Sequence, residues 1–163
     1  MNDTATLAGY FAAHAVWSVA EGETLIPLLA FEKFNGTREM TRLENPDAGE
    51  AVKAGHEWLQ SNPDAALRAV LIFDGYVTRE PGERTDALII EARLYGKEPR
   101  SFTMTLPYRN ARHKKGFLLY RPTVEQMSDA QTSVAELSQA FFRGVNQHQQ
   151  AAPVWARHFD PGA

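Results

Sequence analysis

The chain has 163 residues, 44% of them hydrophobic and 23% charged, the size and balance of one globular domain rather than a disordered tail or a coiled coil. It has no cysteine, which excludes disulfides, thiolate catalysis and Cys-held zinc or iron–sulfur centres. The formal net charge of −3 lacks the basic footprint of phosphate binding, so nucleic acid is not expected as the main partner.

In chain order, Leu7, Tyr10, Phe11, His14, Trp17 and Ser18 recur at steps of three and four. That spacing predicts a helix starting near Asp3 or Thr4 and ending at Gly22. No Lys or Arg precedes Lys33, so a basic secretory leader is not expected. The uncharged stretch Thr4–Ala20 carries Thr4, Thr6, His14 and Ser18, and is too short and polar for a membrane span. A cytoplasmic protein with no membrane partner is the expectation.

Phe34-Asn35-Gly36-Thr37 contains the dipeptide preferred in type I′ turns, which predicts a hairpin of Leu28–Phe34 with Thr37–Leu43. Pro27 cannot donate to a ladder and belongs at the strand start. Asn45-Pro46-Asp47 reads as a capped helix start, with a stripe of Val52, Gly55, Trp58 and Leu59 that stops at Asn62-Pro63. Four extended segments follow, Ala69–Val77, Ala87–Tyr95, Arg100–Tyr108 and Phe117–Arg121. Their short polar breaks suit antiparallel hairpins and leave no room for helical crossovers. Ser128-Asp-Ala-Gln has capping-box spacing and predicts a helix over Ser128–Gln149, with Val134, Leu137, Phe141 and Val145 facing the sheet. Pro153 ends it and leaves an apolar tail, 153–163.

The expected fold is therefore a single α+β domain over residues 1–163: an antiparallel sheet built from the N-terminal hairpin and a four-stranded meander, with helices on one face, in the order α-β-β-α-β-β-β-β-α. No internal repeat or linker divides it.

Chemistry is harder to read. The Gly-x-Ser-x-Gly elbow, the phosphate-cradling loop, the dinucleotide fingerprint and the His-Glu-x-x-His helix are all absent. No two of the five histidines, His14, His56, His113, His148 and His158, stand at i,i+4 spacing, so neither a metal nor a cofactor is expected. His14 lies on the apolar stripe and reads as a core histidine bonded to a carbonyl rather than as a general base.

Alternation places Asp74, Tyr76, Glu91, Arg93 and Tyr95 on a mixed sheet face, the first candidate ligand site. A slip of one residue would swap the faces. Arg109, Arg112, Lys114 and Lys115 form an acid-free basic stretch, a candidate site for an anionic group or an acidic partner. Trp155 and Phe159 in the tail are candidate interface residues, since large aromatics are costly to leave in water. The favoured function is a non-catalytic accessory or protein-interaction domain that forms a homodimer. The alternatives are a small-molecule binder or enzyme with a polar site on the open sheet face (Asp74, Glu91, Arg93), and a binder of an acidic partner through the basic 109–115 loop.

Overall fold

The computed structural model describes residues 1–163. Its elements are α1 (Asn2–Val19), β1 (Leu28–Glu32), β2 (Arg38–Arg42), α2 (Ala48–Ser61), β3 (Arg68–Arg79), β4 (Glu83–Leu94), β5 (Arg100–Arg109), β6 (Leu118–Leu119), β7 (Thr123–Met127), α3 (Val134–Gln147) and α4 (Ala152–His158). The α+β class, the antiparallel sheet and the order α-β-β-α-β-β-β-β-α hold, with β7 and α4 in addition. No helix is long and apolar enough to cross a membrane.

All strands pair antiparallel in the spatial order β2-β1-β3-β4-β5-β6, and β7 shares with β6 the edge of β5 that faces away from β4. The β3–β4 ladder runs past the expected strand ends, to Arg79 opposite Glu83. Its outer rungs are polar, yet they are held by backbone pairing and by Arg84 stacked on Tyr76 at 3.7 Å.

Alternation explains the two layers. Val70, Ile72, Leu88, Ile90, Met104 and Leu106 point to one face and are buried beneath α1 and α3. Leu29, Phe31, Ala69 and Leu71 point to the other, where Leu59 and Trp58 of α2 cover them. Helices on a single face were expected; α2 departs from this. The physical reason lies in β1, where Leu28, Leu29, Ala30 and Phe31 are all buried, and a strand apolar on both sides needs cover on both.

Helix α1 is buried almost all round, with Leu7, Phe11 and Val16 among small alanines, because it is sandwiched between the sheet and α3. The backbone of α3 lies directly on it. A Cβ added at Gly9 would fall 1.8 Å from the Phe141 carbonyl oxygen, and one at Gly144 would fall 1.9 Å from the Thr6 carbonyl oxygen. Thr6 Oγ1 also donates to the Ala140 carbonyl at 3.2 Å.

Three local expectations change. Helix α3 starts at Ser133, whose hydroxyl accepts from Glu136 N while the Glu136 carboxylate accepts from Ser133 N. Ser128 instead accepts from Ser101 N, and Asp129 closes a turn onto Gln131 N and the Thr132 hydroxyl, so the first capping-box spacing marks a loop. Val134, in the first turn, is consequently exposed, whereas Leu137, Phe141 and Val145 are buried. In the β1–β2 turn only Gly36 takes positive φ, with Lys33 N bonded to Thr37 O and Gly36 N to Lys33 O. This is a type I turn closed by a glycine bulge rather than the expected type I′. Pro153 opens α4 instead of ending a helix.

Replacing Gly144 by Ala should lower stability by roughly 3 kcal/mol or more, because the obstructing atoms are backbone. Urea unfolding followed by circular dichroism measures this. A loss under about 1 kcal/mol would show that the two helices part without cost.

Candidate functional site

The sheet register separates the first set of predicted site residues. Asp74 and Tyr76 project from the α1 side, beyond the end of the helical cover, while Glu91, Arg93 and Tyr95 project from the α2 side. Asp74 accepts from the Tyr108 hydroxyl at 2.8 Å. Partial burial, with the Asp86 carboxylate adding to it, raises the Asp74 pKa although the bond from Tyr108 opposes the shift. Burial and the Asp74 charge hold the Tyr108 hydroxyl protonated. Glu91 is engaged by His56 Nε2 at 2.7 Å, and the Tyr95 hydroxyl donates to the Leu59 carbonyl at 2.6 Å, tying α2 to the sheet. Burial pushes Tyr95 up to about 12. These five residues are not brought together.

The basic stretch is a structured loop. Arg109 donates to the carbonyls of Gly116 and Lys115, Arg112 lies over Gly22, and Lys114 and Lys115 remain exposed. Trp155 is 3% exposed and packs on Phe141 and Phe142, and Phe159 is partly buried beside it. The chain's own core therefore takes up the Trp155 side chain that was expected at an interface. No group of three or more His, Asp or Glu side chains converges as metal ligands.

A different set of residues does converge. Helical spacing puts His14, Trp17, Ser18 and Glu21 along one side of α1 and its end. Arg42 pairs with Leu28 across the β1–β2 ladder, which brings it onto the α1 face, and α4 adds Val154, Arg157 and His158. Between these elements lies a cleft of about 410 Å³, within the range of roughly 300–1,000 Å³ usual for small-molecule sites. Its apolar side is open to solvent: Trp17 is 44% and Ile26 40% exposed.

Behind the cleft wall runs a chain of hydrogen bonds whose direction is settled at one end. Ala151 N–H donates to His148 Nδ1 at 3.1 Å, so neutral His148 carries its proton on Nε2. That Nε2–H donates to His14 Nδ1 at 3.0 Å, so neutral His14 carries its proton on Nε2 in turn. His14 Nε2 is buried and has no partner in the chain. His14 lines this cleft and also, together with His148, a second hollow of about 390 Å³ bounded by Tyr10, Phe11, Arg38, Glu39 and Met40. The result is a fixed hydrogen-bond donor without a partner, closed off from solvent on a side chain that lines both hollows.

A proton added to this pair would disrupt it. Were His14 protonated at Nδ1, His148 Nε2 would have to accept, and the His148 proton would move to Nδ1, against the Ala151 N–H. The electrostatics agree: burial first, then His148 and the Arg42 guanidinium, lower the His14 pKa. Burial lowers that of His148, against an opposing pull from its own backbone. Ser18 is no nucleophile for such a pair, since its hydroxyl donates back to the His14 carbonyl at 3.0 Å.

Periodicity picks out His14 but not its partners. His148 is 134 positions away, and neither it nor Arg42 and Arg157 carries a local signal of a shared site. The bland reading of His14 as bonded to a carbonyl also gives way, since its ring is bonded to a second imidazole.

Both rings should be neutral Nε2–H tautomers near pH 7, read directly from long-range ¹H–¹⁵N spectra of the imidazoles. Their folded-state pKa values lie below the unfolded value of about 6.5, so below that pH the unfolded chain binds more protons. This contribution to stability is complete above about pH 6.5 and falls as the solution is acidified. An Nδ1–H tautomer at either ring, or rings already charged at pH 7, would refute the assigned hydrogen-bond direction. Comparison of the chain with protein-family models, with characterised proteins and with solved structures gives no match, so this geometry is the basis for a functional reading.

Proposed function

We propose that the protein is a non-catalytic binding domain whose working surface is the cleft between α1, the approach to β1, and α4. The observation that carries this reading is the buried His14 Nε2–H without a partner. Leaving a buried polar group unpaired costs about 1–3 kcal/mol, and a ligand acceptor admitted by a small shift of the surrounding side chains would remove that cost. Binding fits better than catalysis. Proton uptake by the His14–His148 pair breaks its link to Ala151, so the pair serves as a donor and not as a general base. Small-molecule binding is thus favoured, but at this cleft rather than on the open sheet face.

The test is a small-molecule screen by ¹H–¹⁵N correlation spectra. Hits should shift the amides of residues 14–28 and those around Val154 and Arg157, and Trp17→Ala should weaken them by about tenfold or more, the loss of one aromatic contact surface. Hits that cluster elsewhere on the molecule would overturn the reading.

A second reading, self-association, is favoured by β2. All five of its residues are exposed, its outer edge has no partner strand, and Phe34 at the adjoining turn is 72% exposed. Two copies joined antiparallel along β2 would make one continuous sheet through an isologous, two-fold contact. Arg38 and Glu39 oppose this by their charge, although both already form ion pairs within the hairpin. Sedimentation at tens of micromolar should show a dimer that Phe34→Lys together with Met40→Lys converts to a folded monomer. A wild-type monomer at that concentration removes this reading and leaves the cleft untouched.

A further inference from the structure

The two ends of the sheet are finished differently. At one end the edge is divided between β6, two residues long, and β7, whose ladder with β5 shifts register between Thr103 and Met104, and Phe159 bridges to Leu119 there. Short and irregular edges keep a further strand from adding. At the other end β2 runs five residues in unbroken register with β1, without a proline or a bulge and with no strand beyond it. Its backbone phase is fixed by the bonds that flank it. Lys33 N–H donates to the Thr37 carbonyl and Leu43 N–H to the Pro27 carbonyl, so alternate residues from Thr37 to Leu43 bond inward to β1. The N–H and C=O groups of Arg38, Met40 and Arg42 therefore point outward along the free edge.

The side chains of the same three residues stand on the α1 face, since Met40 and Arg42 lie opposite Ala30 and Leu28 of the core beneath α1. That face carries an excess of positive charge. Arg38 pairs with Glu32 at 2.9 Å, but the same carboxylate also serves Arg68 at 3.1 Å, and Arg42 forms no ion pair at all. On the opposite face Glu39 is balanced by Lys33. Met40 is exposed between the two guanidiniums and bounds the hollow that Tyr10 and His14 line.

We infer that β2 takes up an extended segment of a partner protein as an added antiparallel strand, and that the segment carries an acid, an apolar residue and an acid at alternate positions. Backbone bonds to Arg38, Met40 and Arg42 give affinity, and alternate side chains give choice. Residues directly opposite one another interact across a ladder, so the acids belong opposite Arg38 and Arg42 and the apolar side chain opposite Met40. The position opposite Glu39 excludes a third acid. A second copy of the chain meets the same backbone groups but, in the register that pairs all three, sets Arg42 of each copy against Arg38 of the other, and like charges directly opposite are destabilising. Self-association at this edge has an obstacle that an acidic strand lacks.

The probe is the peptide acetyl-Ser-Glu-Thr-Val-Lys-Glu-Ser-amide, whose glutamates fall opposite Arg42 and Arg38 and whose valine falls opposite Met40. Titrated into the full chain, it should shift the amides of Arg38, Met40 and Arg42 and slow their exchange with solvent. Two altered peptides separate backbone from charge. N-methylation of the valine removes the donor to the Met40 carbonyl, and lysine in place of both glutamates reverses the charge; each should weaken binding by about tenfold or more. Arg42→Glu should prefer a peptide with lysine at the facing position over the parent, and since Arg42 is exposed an unchanged melting curve confirms that the variant folds. An N-methylated peptide that binds as tightly as its parent would overturn strand addition, and a lysine peptide that does so would overturn the acidic partner. Sedimentation covers the competing occupant. Saturating peptide should leave a complex with one copy of the chain, whereas a dimer that survives it gives the edge to a second copy and sinks the inference alone. If the chain is monomeric and no peptide shifts the edge, the acidic strand and self-association fail together, and the cleft is still judged by the amides of residues 14–28.

Discussion

The contact between α1 and α3 is the constraint on which the rest of the structure depends. Two ordinary helices keep about 8–10 Å between axes because side chains stand between them. Here Gly9 and Gly144 remove those side chains, and each helix meets the backbone of the other. The contacts span both helices: Thr6 with Ala140 and Gly144, Gly9 with Phe141, His14 with His148. Bringing the two imidazoles to 3.0 Å therefore follows from a packing decision made more than one turn earlier. A wider crossing would leave the sheet covered, but it would separate the histidines and return both to solvent or to other partners.

The same helix pair explains why two buried polar atoms without partners have different meanings. Trp155 Nε1 is one and His14 Nε2 the other. The Trp155 ring sits among Phe141, Phe142 and Phe159, where large apolar contact area outweighs one unpaired indole N–H and nothing polar is within reach. His14 buries much less apolar surface and borders an open cleft whose other walls carry guanidinium and carboxylate groups. In the first case the cost is internal to the core. In the second it falls on a side chain that lines the surface.

Much of the fold was legible because its signals are local. Period-two alternation in 69–108 marked the meander, Asn45-Pro46-Asp47 and Asn62-Pro63 bounded α2, although Asp47 rather than Asn45 is its cap, and Gly22 closed α1. The errors were local signals with two solutions. Ser128, read as the cap, has a glutamine three residues on, and Ser133, which the sequence reading passed over, has the glutamate that completes the capping box. Asn35-Gly36 suits both hairpin turns, and the three-residue loop chose between them. The layer position of α2 depended on what the second face of β1 required, which no window on α2 itself contains. The candidate site was far less legible. Asp74 and Glu91 shared a pattern but not a face, because register sets faces and single-strand alternation does not. The residues that do converge come from α1, β2, the 21–28 segment and α4, and each alone reads as ordinary surface or core.

The wall of the cleft and the histidine pair meet at the α3–α4 corner. His148 caps α3, Ala151 donates to its ring, and Ala152 N bonds to its carbonyl as α4 begins. Helix α4 is in turn held by Trp155 in the core and by Phe159, which bridges to Leu119 at the sheet edge. Hydrogen bonds in series polarise one another, so an acceptor on His14 Nε2 strengthens the bond to His148 and, through it, the bond from Ala151. The His14–His148–Ala151 chain thereby ties the wall of the cleft to the packing of the last two helices.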